Sequence, residues 1–254
     1  GAGFAARAAV LGAYLAADGL SGTRRTLEGD AGLFALYERG EVKPEILVES
    51  LGRDWRIPEY SFKPYPCCRC NHTAIGLGIQ LHARGVRPQE VVAIEIYMGN
   101  VNWLTVGDAY DVARDSVVHA QFNAAYSFAR AFADGKVDLH SYQKPAISAP
   151  HIVALTRLTR VIDDPAIEPT AIEPARIKVT LKDGRALEAS SSTIKGSPRE
   201  PMTEQELLAK FRACLEFGLG ASRAAAEHLA ETIFNLEQAD DAAAALVVAF
   251  PTAG

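Results

Sequence analysis

A strand-like run enclosed by helical patterns on both sides constrains the fold of this chain most strongly. The run from Val91 to Met98 is rich in β-branched and apolar residues, which is typical of a buried strand. Two further alternating runs, at 177–181 and 185–189, flank Asp183-Gly184, and an Asp-Gly pair in that position predicts a hairpin. The sequence therefore predicts an α+β fold in which an α/β module is inserted into an all-helical domain.

The pattern changes twice along the chain and so gives three segments. Helical pattern covers residues 1–53, mixed α/β pattern covers 54–200, and helical pattern returns over 201–254. We expect the first and last segments to belong to one helical domain. The individual predictions are helices at 4–18, 33–37, 44–51, 71–84, about 117–133, 150–162, 204–217 and 222–236, and an extended segment at 60–66. Thr203 and Glu206 predict a capping box at the start of the helix at 204–217.

The composition excludes several classes of function. The chain has 254 residues, of which 48% are hydrophobic and 22% charged, as in an ordinary globular protein. Its net charge of −5, without a basic run, argues against nucleic-acid binding. No apolar run reaches the roughly 18–20 residues that span a bilayer, so we expect no membrane partner. Three of the four cysteines are clustered at 67, 68 and 70, unlike a secreted disulfide framework, which favours a cytoplasmic protein.

The stretch 61–82 contains the main candidate site. Two prolines hold Lys63 to Pro66 extended, and His72 follows where the apolar spacing becomes helical. The three cysteines with His72 invite a zinc interpretation, but adjacent cysteines followed by Cys-x-Cys do not match the spacing of tetrahedral sites. Three small thiols packing a tight turn are the simpler interpretation, and a thiol nucleophile is a weaker alternative. We expect neither a metal nor a cofactor.

Arg69 and His72 have the most useful chemistry in this stretch. A histidine on the first turn of a helix can exchange a proton near pH 7, and an arginine beside it can bind a substrate carboxylate through its forked guanidinium. The alternative is a surface or capping histidine, with the arginine paired to a surface carboxylate. The local pattern is compatible with both.

Two further positions have a functional and a structural interpretation. Tyr126 lies in a predicted helix with an apolar stripe, where most tyrosines are core residues with a bonded hydroxyl. The segment from Gly196 to Pro201 is rich in turn residues and is either a cover for a site or a plain linker. Nucleotide-binding, serine-hydrolase and zincin motifs are absent from the sequence.

The run Lys63-Pro-Tyr-Pro-Cys-Cys, followed by His72-Thr-Ala-Ile, resembles the lysine–tyrosine–proline and histidine signature of the MmgE/PrpD family. That family includes 2-methylcitrate dehydratase, cis-aconitate decarboxylase and iminodisuccinate epimerase. Three more stretches are similar to the family in order and spacing: Gly3-Phe-Ala-Ala-Arg with Gly19-Leu-Ser-Gly, Ala120-Gln-Phe-Asn with Tyr126 and Asp134-Gly135, and Val179-Thr-Leu-Lys-Asp-Gly with Gly196-Ser-Pro and Glu206.

The resemblance implies a helical domain with an α/β lid and a metal-free site in the cleft between them. It implies proton abstraction next to a carboxylate of a small di- or tricarboxylate, in a dehydratase, decarboxylase or epimerase. His72 falls on the family's lid histidine and Tyr126 on its lid tyrosine, which makes both catalytic candidates. Arg69, Lys63 and Gly196 are the substrate-binding candidates.

In the family these two residues act with an aspartate, a histidine and a lysine of a first helical half, and this sequence lacks them. The sequence opens as Gly1-Ala2-Gly3 directly into a helical pattern. We therefore expect a partner, either an N-terminal helical half or a second copy in a homodimer. The alternative function is a non-catalytic remnant or subunit that binds a partner chain or a carboxylate ligand.

Overall fold

A computed structural model describes residues 2–39 and 41–250. Residues 1, 40 and 251–254, which belong to the first and last predicted segments, lie outside the described residues. The chain forms two compact units that divide between Arg56 and Ile57. The three segments predicted from sequence stay a prediction. The division into two units does not test whether 1–53 and 201–254 form one helical domain with 54–200 inserted into it. The α+β class is confirmed.

The first unit is made of short helical pieces. Its helices are α1 (Ala2–Ala17), α2 (Leu33–Tyr37) and α3 (Glu45–Val48), so the predicted helices at 4–18 and 33–37 are confirmed and the third is shorter than predicted. Among residues 3–39 and 41–56 only Gly32 is buried. Phe4 and Tyr14 of α1 are 77% and 69% exposed. This unit therefore presents large apolar side chains on its surface.

A four-stranded mixed sheet organises the second unit. Its strands are β1 (Val91–Met98), β2 (Thr159–Asp163), β3 (Ala175–Leu181) and β4 (Ala186–Ser191), in the order β2-β1-β3-β4. β1 pairs with β2 in parallel and with β3 antiparallel, and β3 and β4 form the predicted hairpin. The predicted strand at 91–98 and the Asp-Gly hairpin are confirmed.

One helix, α4 (His72–Ala83), precedes β1. Five more lie between β1 and β2: α5 (Asn100–Val106), α6 (Val117–Gln121), α7 (Ala124–Asp134), α8 (Lys144–Ile147) and α9 (Pro150–Arg157). α4 and α7 pack closely against each other. Gly78 permits this, because a Cβ there would lie 2.9 Å from the Cβ of Ala131. The core between helices and sheet is built from apolar side chains with almost no exposure, including Ile75, Leu81, Ile94, Ile96, Phe128, Phe132 and Ile177.

Two sequence predictions in this unit are wrong in part. The helix predicted at 117–133 is divided, because Asn123 adopts an extended conformation and its side chain caps α7. The helix predicted at 150–162 ends at Arg157, and 159–163 forms β2 because it pairs with β1. The segment at 60–66 contains no strand in the described structure. Tertiary pairing has overridden local pattern in β2.

Three helices end the described chain: α10 (Glu204–Leu219), α11 (Arg223–Phe234) and α12 (Ala242–Ala249). The predicted capping box is confirmed, since Thr203 and Glu206 bond to each other's backbone N–H groups. A small apolar cluster of Leu215, Ala226, Leu229 and Ala249 joins the three helices. Over residues 2–39 and 41–250, no helix is both long and apolar enough to cross a membrane.

Candidate active site

A short 3₁₀ turn places the candidate histidine at the start of α4. The turn spans Arg69–Asn71 and leads directly into His72. Cys68 donates its N–H to the Gln121 carbonyl at 3.0 Å, and the Asn71 amide donates to the same carbonyl at 2.9 Å. The Asn71 amide also donates to the Ser127 hydroxyl at 3.1 Å. Long-range bonds to α6 and α7 therefore fix this turn.

His72 is buried, with 2% of its surface exposed, and one of its ring nitrogens has no partner. Its Nδ1 lies 3.4 Å from Nη1 of Arg69, while its Nε2 makes no hydrogen bond with any described residue. A guanidinium can only donate, so the contact with Arg69 favours the tautomer in which Nδ1 accepts and Nε2 carries the hydrogen. The Tyr65 ring packs edge-on at 5.2 Å between centroids. The histidine thus holds an unused N–H donor.

The surroundings of His72 keep it neutral. Burial, and then the positive charges of Arg69 and Lys63, lower the pKa of His72 from 6.5 to about 3. Both effects disfavour the imidazolium, because a buried cation is poorly solvated and lies beside other cations. The ring is therefore uncharged at physiological pH.

A pocket of about 290 Å³ opens beside His72. Its wall comes from α4, from the end of β4 and from the loop that follows, and its polar lining residues are Tyr65, Thr73, Gln80, Ser190, Ser191, Thr193, Lys195 and Glu200. Lys195 pairs with Glu206 at 2.9 Å, and Glu200 accepts a hydrogen bond from Thr193 at 2.7 Å. The pocket has the size and polarity for a small charged molecule.

A larger cavity of about 430 Å³ lies between α10 and the turn at 137–140. None of the residues lining it has a buried side-chain nitrogen or oxygen without a hydrogen bond in the described structure, whereas His72 in the smaller pocket has one. We therefore place the candidate site in the smaller pocket.

Arg69 lies next to His72 and is held between two backbone segments, although it is not among the described residues that line the pocket. Its Nη1 donates to the carbonyls of Phe62 at 3.3 Å and Lys195 at 3.1 Å. Its Nη2 is buried and has no hydrogen-bond partner in the described part of the chain. Burial lowers the pKa of Arg69, and Glu173 opposes this shift. Among the described residues, Nη1 is therefore hydrogen-bonded within the chain, and Nη2 is not.

Gly196 lies at a close crossing of two backbone segments. Its φ is +87°, and a Cβ there would lie 2.2 Å from the Phe62 carbonyl oxygen. Its carbonyl accepts from the Phe62 N–H at 2.9 Å, and its own N–H donates to the Glu200 carbonyl at 2.7 Å. Its backbone groups are thus bonded within the chain, and only glycine fits there without strain.

Lys63 is exposed and donates from Nζ to the Cys67 carbonyl at 3.3 Å. Its charge acts on His72, whose pKa it helps to lower. Four of the five residues proposed from sequence, Lys63, Arg69, His72 and Gly196, are therefore linked around one turn and the loop that crosses it.

Tyr126 has a different setting. It is fully buried, and its hydroxyl donates to the Ser141 carbonyl. Its ring packs against Tyr110 at 4.9 Å and Tyr142 at 5.7 Å, and burial raises its pKa. Among the described residues, those that line the pocket beside His72 do not include it. The structure therefore places Tyr126 in an aromatic core cluster.

Sequence reasoning proposed only His72 among the residues that line the pocket, and Tyr65 and Lys195 are two that it missed. Tyr65 belongs to the proline-rich motif and so had a local signal, and burial is the main cause that raises its pKa to about 12. Lys195 precedes Gly196 but reaches the pocket only through the fold of a distant loop. In the described residues no group of three or more His, Cys, Asp or Glu side chains is arranged to hold a metal ion.

Comparison with known proteins gives one family. The model of the MmgE/PrpD C-terminal domain matches residues 65–236. Human cis-aconitate decarboxylase is 26% identical over 248 residues, which cover 94% of this chain and 50% of the relative. The mouse enzyme is 24% identical over 218 residues (83% and 44%), and a cis-aconitate decarboxylase-like protein of Aspergillus oryzae is 25% identical over 255 residues (94% and 52%). The chain spans about half the length of the curated relatives it matches.

Proposed function

The chain belongs to the MmgE/PrpD family, and from that premise we propose that it carries part of the active site of a lyase-type enzyme. The substrate is a small di- or tricarboxylate, and the reaction begins with loss of a proton from a carbon next to a carboxylate. Dehydration and epimerisation share this first step, whereas decarboxylation breaks a C–C bond to release carbon dioxide and then adds a proton to carbon. All three need a proton-transfer group beside a bound carboxylate. Three relatives named for cis-aconitate decarboxylation support the tricarboxylate class.

One observation carries the proposal: a buried, neutral histidine that lines a pocket has a ring nitrogen without a hydrogen-bond partner among the described residues, and cationic groups lie beside it. His72 supplies the donor, Arg69 has a buried Nη2 without a partner in the described structure, and Lys195 lines the same pocket. Unsatisfied buried polar atoms are costly, and a ligand that bonds to them removes that cost. A carboxylate has the acceptors that both groups need.

Each of these residues has its own role in the proposed reaction. Arg69 binds a substrate carboxylate through Nη2, and Lys63 adds positive charge. Lys195 adds its charge when the substrate replaces its partner Glu206. His72 donates from Nε2 to an oxygen that gains negative charge as the neighbouring carbon loses its proton to a base of the partner that completes the site. Gly196 holds the loop so that the Lys195 carbonyl can anchor Arg69.

Substrate binding also changes the acidity of the histidine. The charges of Arg69 and Lys63 lower the pKa of His72, and a bound polycarboxylate offsets those charges. The pKa of His72 therefore rises when the pocket is filled. We assign no metal or cofactor to these steps.

The role of Tyr126 as a second proton-transfer residue stays a proposal that rests on the family resemblance. Its hydroxyl must leave the Ser141 carbonyl before it can reach a substrate. This bonded hydroxyl is the observation that favours the second candidate function, a non-catalytic subunit that binds a partner chain or a carboxylate without turnover.

We further propose a partner that completes the site, either an N-terminal helical half or a second copy of the chain. The large exposed apolar side chains of α1, including Phe4, Val10, Leu11 and Tyr14, support an association of this kind. The native mass of the purified protein tests this, and a stable monomer of this chain in its active form would contradict it.

Proton exchange tests the proposed reaction. The protein in its native assembly is incubated in deuterated water with citrate-like acids and amino diacids, and NMR follows the C–H groups next to carboxylates. We expect exchange with at least one acid, and its loss in His72→Phe. His151→Phe, at an exposed histidine, is the matched control and should exchange normally. Binding without exchange would support the non-catalytic function, and absence of both would contradict both proposals.

A further inference from the structure

The lysine that lines the pocket beside His72 has its ionic partner outside that pocket. Among the described residues, Lys195 lines the pocket and Glu206 does not, whereas Glu206 lines the larger cavity beside α10. Their ion pair, with 2.9 Å between Nζ and Oε2, joins the wall of one cavity to the wall of the other. The positive charge of Lys195 is therefore engaged with a carboxylate that the pocket does not contain.

The main chain of Lys195 is fixed, but its side chain can change partner. The Lys195 carbonyl accepts from Nη1 of Arg69 at 3.1 Å, and the carbonyl of the next residue, Gly196, accepts from the Phe62 N–H at 2.9 Å. The side chain is held through its terminal nitrogen by the ion pair with Glu206. Because a lysine has a long flexible stem, the ammonium group can move to another carboxylate while the loop stays in place.

Glu206 keeps other hydrogen bonds if Lys195 leaves it. Its Oε2 also accepts from the backbone N–H and the hydroxyl of Thr203, at 2.7 and 3.1 Å, in the capping box of α10. The ion pair is partly exposed, with 32% of the Lys195 side chain and 44% of the Glu206 side chain accessible. Pairs of this kind are weak because water and salt screen them, so a bound carboxylate can replace Glu206 at Lys195.

We propose that Lys195 is a subsite for a second substrate carboxylate and that Glu206 competes with the substrate for it. This inference rests on the proposed function, in which a first carboxylate bonds at Arg69 and His72. A second carboxylate of the same ligand reaches Lys195 only by taking the place of Glu206. A ligand with one carboxylate leaves the ion pair intact. Glu206 therefore lowers the affinity for polycarboxylates and leaves the affinity for monocarboxylates unchanged.

Glu206→Gln tests this competition. Glutamine keeps an oxygen for the capping box, where Gln serves as well as Glu, but it has no charge to hold Lys195. NMR titration of the protein in its native assembly compares propane-1,2,3-tricarboxylate with propionate. We expect the variant to bind the tricarboxylate about 3-fold more tightly than wild type does, which is the scale of a screened ion pair, and to bind propionate equally.

Glu204→Gln is the matched control. Glu204 is exposed, lies in the same first turn of α10 and loses the same charge in the variant, so both affinities should stay as in wild type. An equal gain in the Glu204 and Glu206 variants would show a general charge effect and would overturn the proposal. An unchanged affinity of Glu206→Gln for the tricarboxylate would overturn it as well.

A second substitution isolates the role of the lysine. Lys195→Met keeps an apolar stem without the charge, and in combination with Glu206→Gln it should abolish the gain in affinity, because Glu206 acts through Lys195. A gain that persists without Lys195 would overturn the proposal. If wild type binds neither acid, the proposed function fails and the subsite fails with it. If wild type binds both and the variants change neither affinity, only the subsite is wrong.

Discussion

The two helices that pack together beneath the sheet begin in opposite ways. α7 starts at Asn123, whose side-chain oxygen accepts from the Tyr126 N–H at 2.9 Å and whose amide donates to the Asp108 carbonyl at 2.8 Å. α4 starts at Asn71, whose side chain makes no capping bond. Buried atoms of Arg69, Asn71 and His72 beside that start lack partners in the described residues.

The difference separates stability from function. Every polar group named at the start of α7 is used within the chain, as expected where a helix start has a structural role. The start of α4 keeps donors unused beside a pocket, which costs stability and is typical of a binding site. Changes at α4 should therefore reduce activity, and changes at α7 should reduce the free energy of unfolding.

Replacement of His72 should affect activity most. His72→Phe removes the Nε2 donor and should lower turnover at least ~100-fold, as loss of a general acid–base does. His72→Gln, which keeps an N–H donor, should retain more activity than His72→Phe. Turnover of a carboxylate substrate by the native assembly measures this, and near-normal turnover in His72→Phe would remove His72 from the mechanism.

Replacement of Asn123 should have the largest effect on stability. Asn123→Ala removes the cap of α7 and leaves the Asp108 carbonyl without its donor, so the free energy of unfolding should fall by about 2–3 kcal/mol. Gln205→Ala, at an exposed amide in α10, is the control and should change it by less than about 0.5 kcal/mol. Equal losses in denaturant unfolding would show that the start of α7 has no special structural role.

Replacement of Tyr126 tests whether this residue has a structural role in the core or a catalytic role in the pocket. Tyr126→Phe leaves the Ser141 carbonyl without its donor and should cost about 1–2 kcal/mol of unfolding free energy. If the tyrosine acts only in the core, turnover at a temperature where the variant is folded should stay within a few-fold of wild type. Loss of turnover on the scale of His72→Phe would instead support the catalytic role that the family resemblance implies.

The free energy of unfolding should depend on pH because the fold keeps His72 neutral. The pKa of His72 is about 3 in the folded chain and near 6.5 without the fold, so between these values the unfolded chain binds a proton that the folded chain does not. The free energy of unfolding therefore falls as pH decreases below 6.5, by at most about 1.4 kcal/mol per pH unit from this group.

His72→Phe removes this contribution, so denaturant unfolding at several pH values should give a flatter curve for the variant. Parallel curves for wild type and variant would mean that burial does not keep His72 neutral.

The sequence predicted the elements that depend on local chemistry. The hairpin at Asp183-Gly184 and the capping box at Thr203 follow from short-range rules, and both are present. β2 was missed because pairing with β1 decides its conformation. In the pocket, the placement of Arg69 and His72 around one turn followed from their spacing. The contribution of Lys195 did not, since 126 residues separate it from the Arg69 side chain that its carbonyl anchors.

NMR of the His72 ring gives the most direct test of the site. With ¹⁵N-labelled histidine, assigned by comparison with His72→Phe, the free protein should show a neutral ring that carries its hydrogen on Nε2 and does not titrate between about pH 5 and 8. Addition of a tricarboxylate should raise the pKa of this ring. A ring that titrates near its ordinary value in the free protein, and that does not respond to any di- or tricarboxylate, would contradict a carboxylate site at His72.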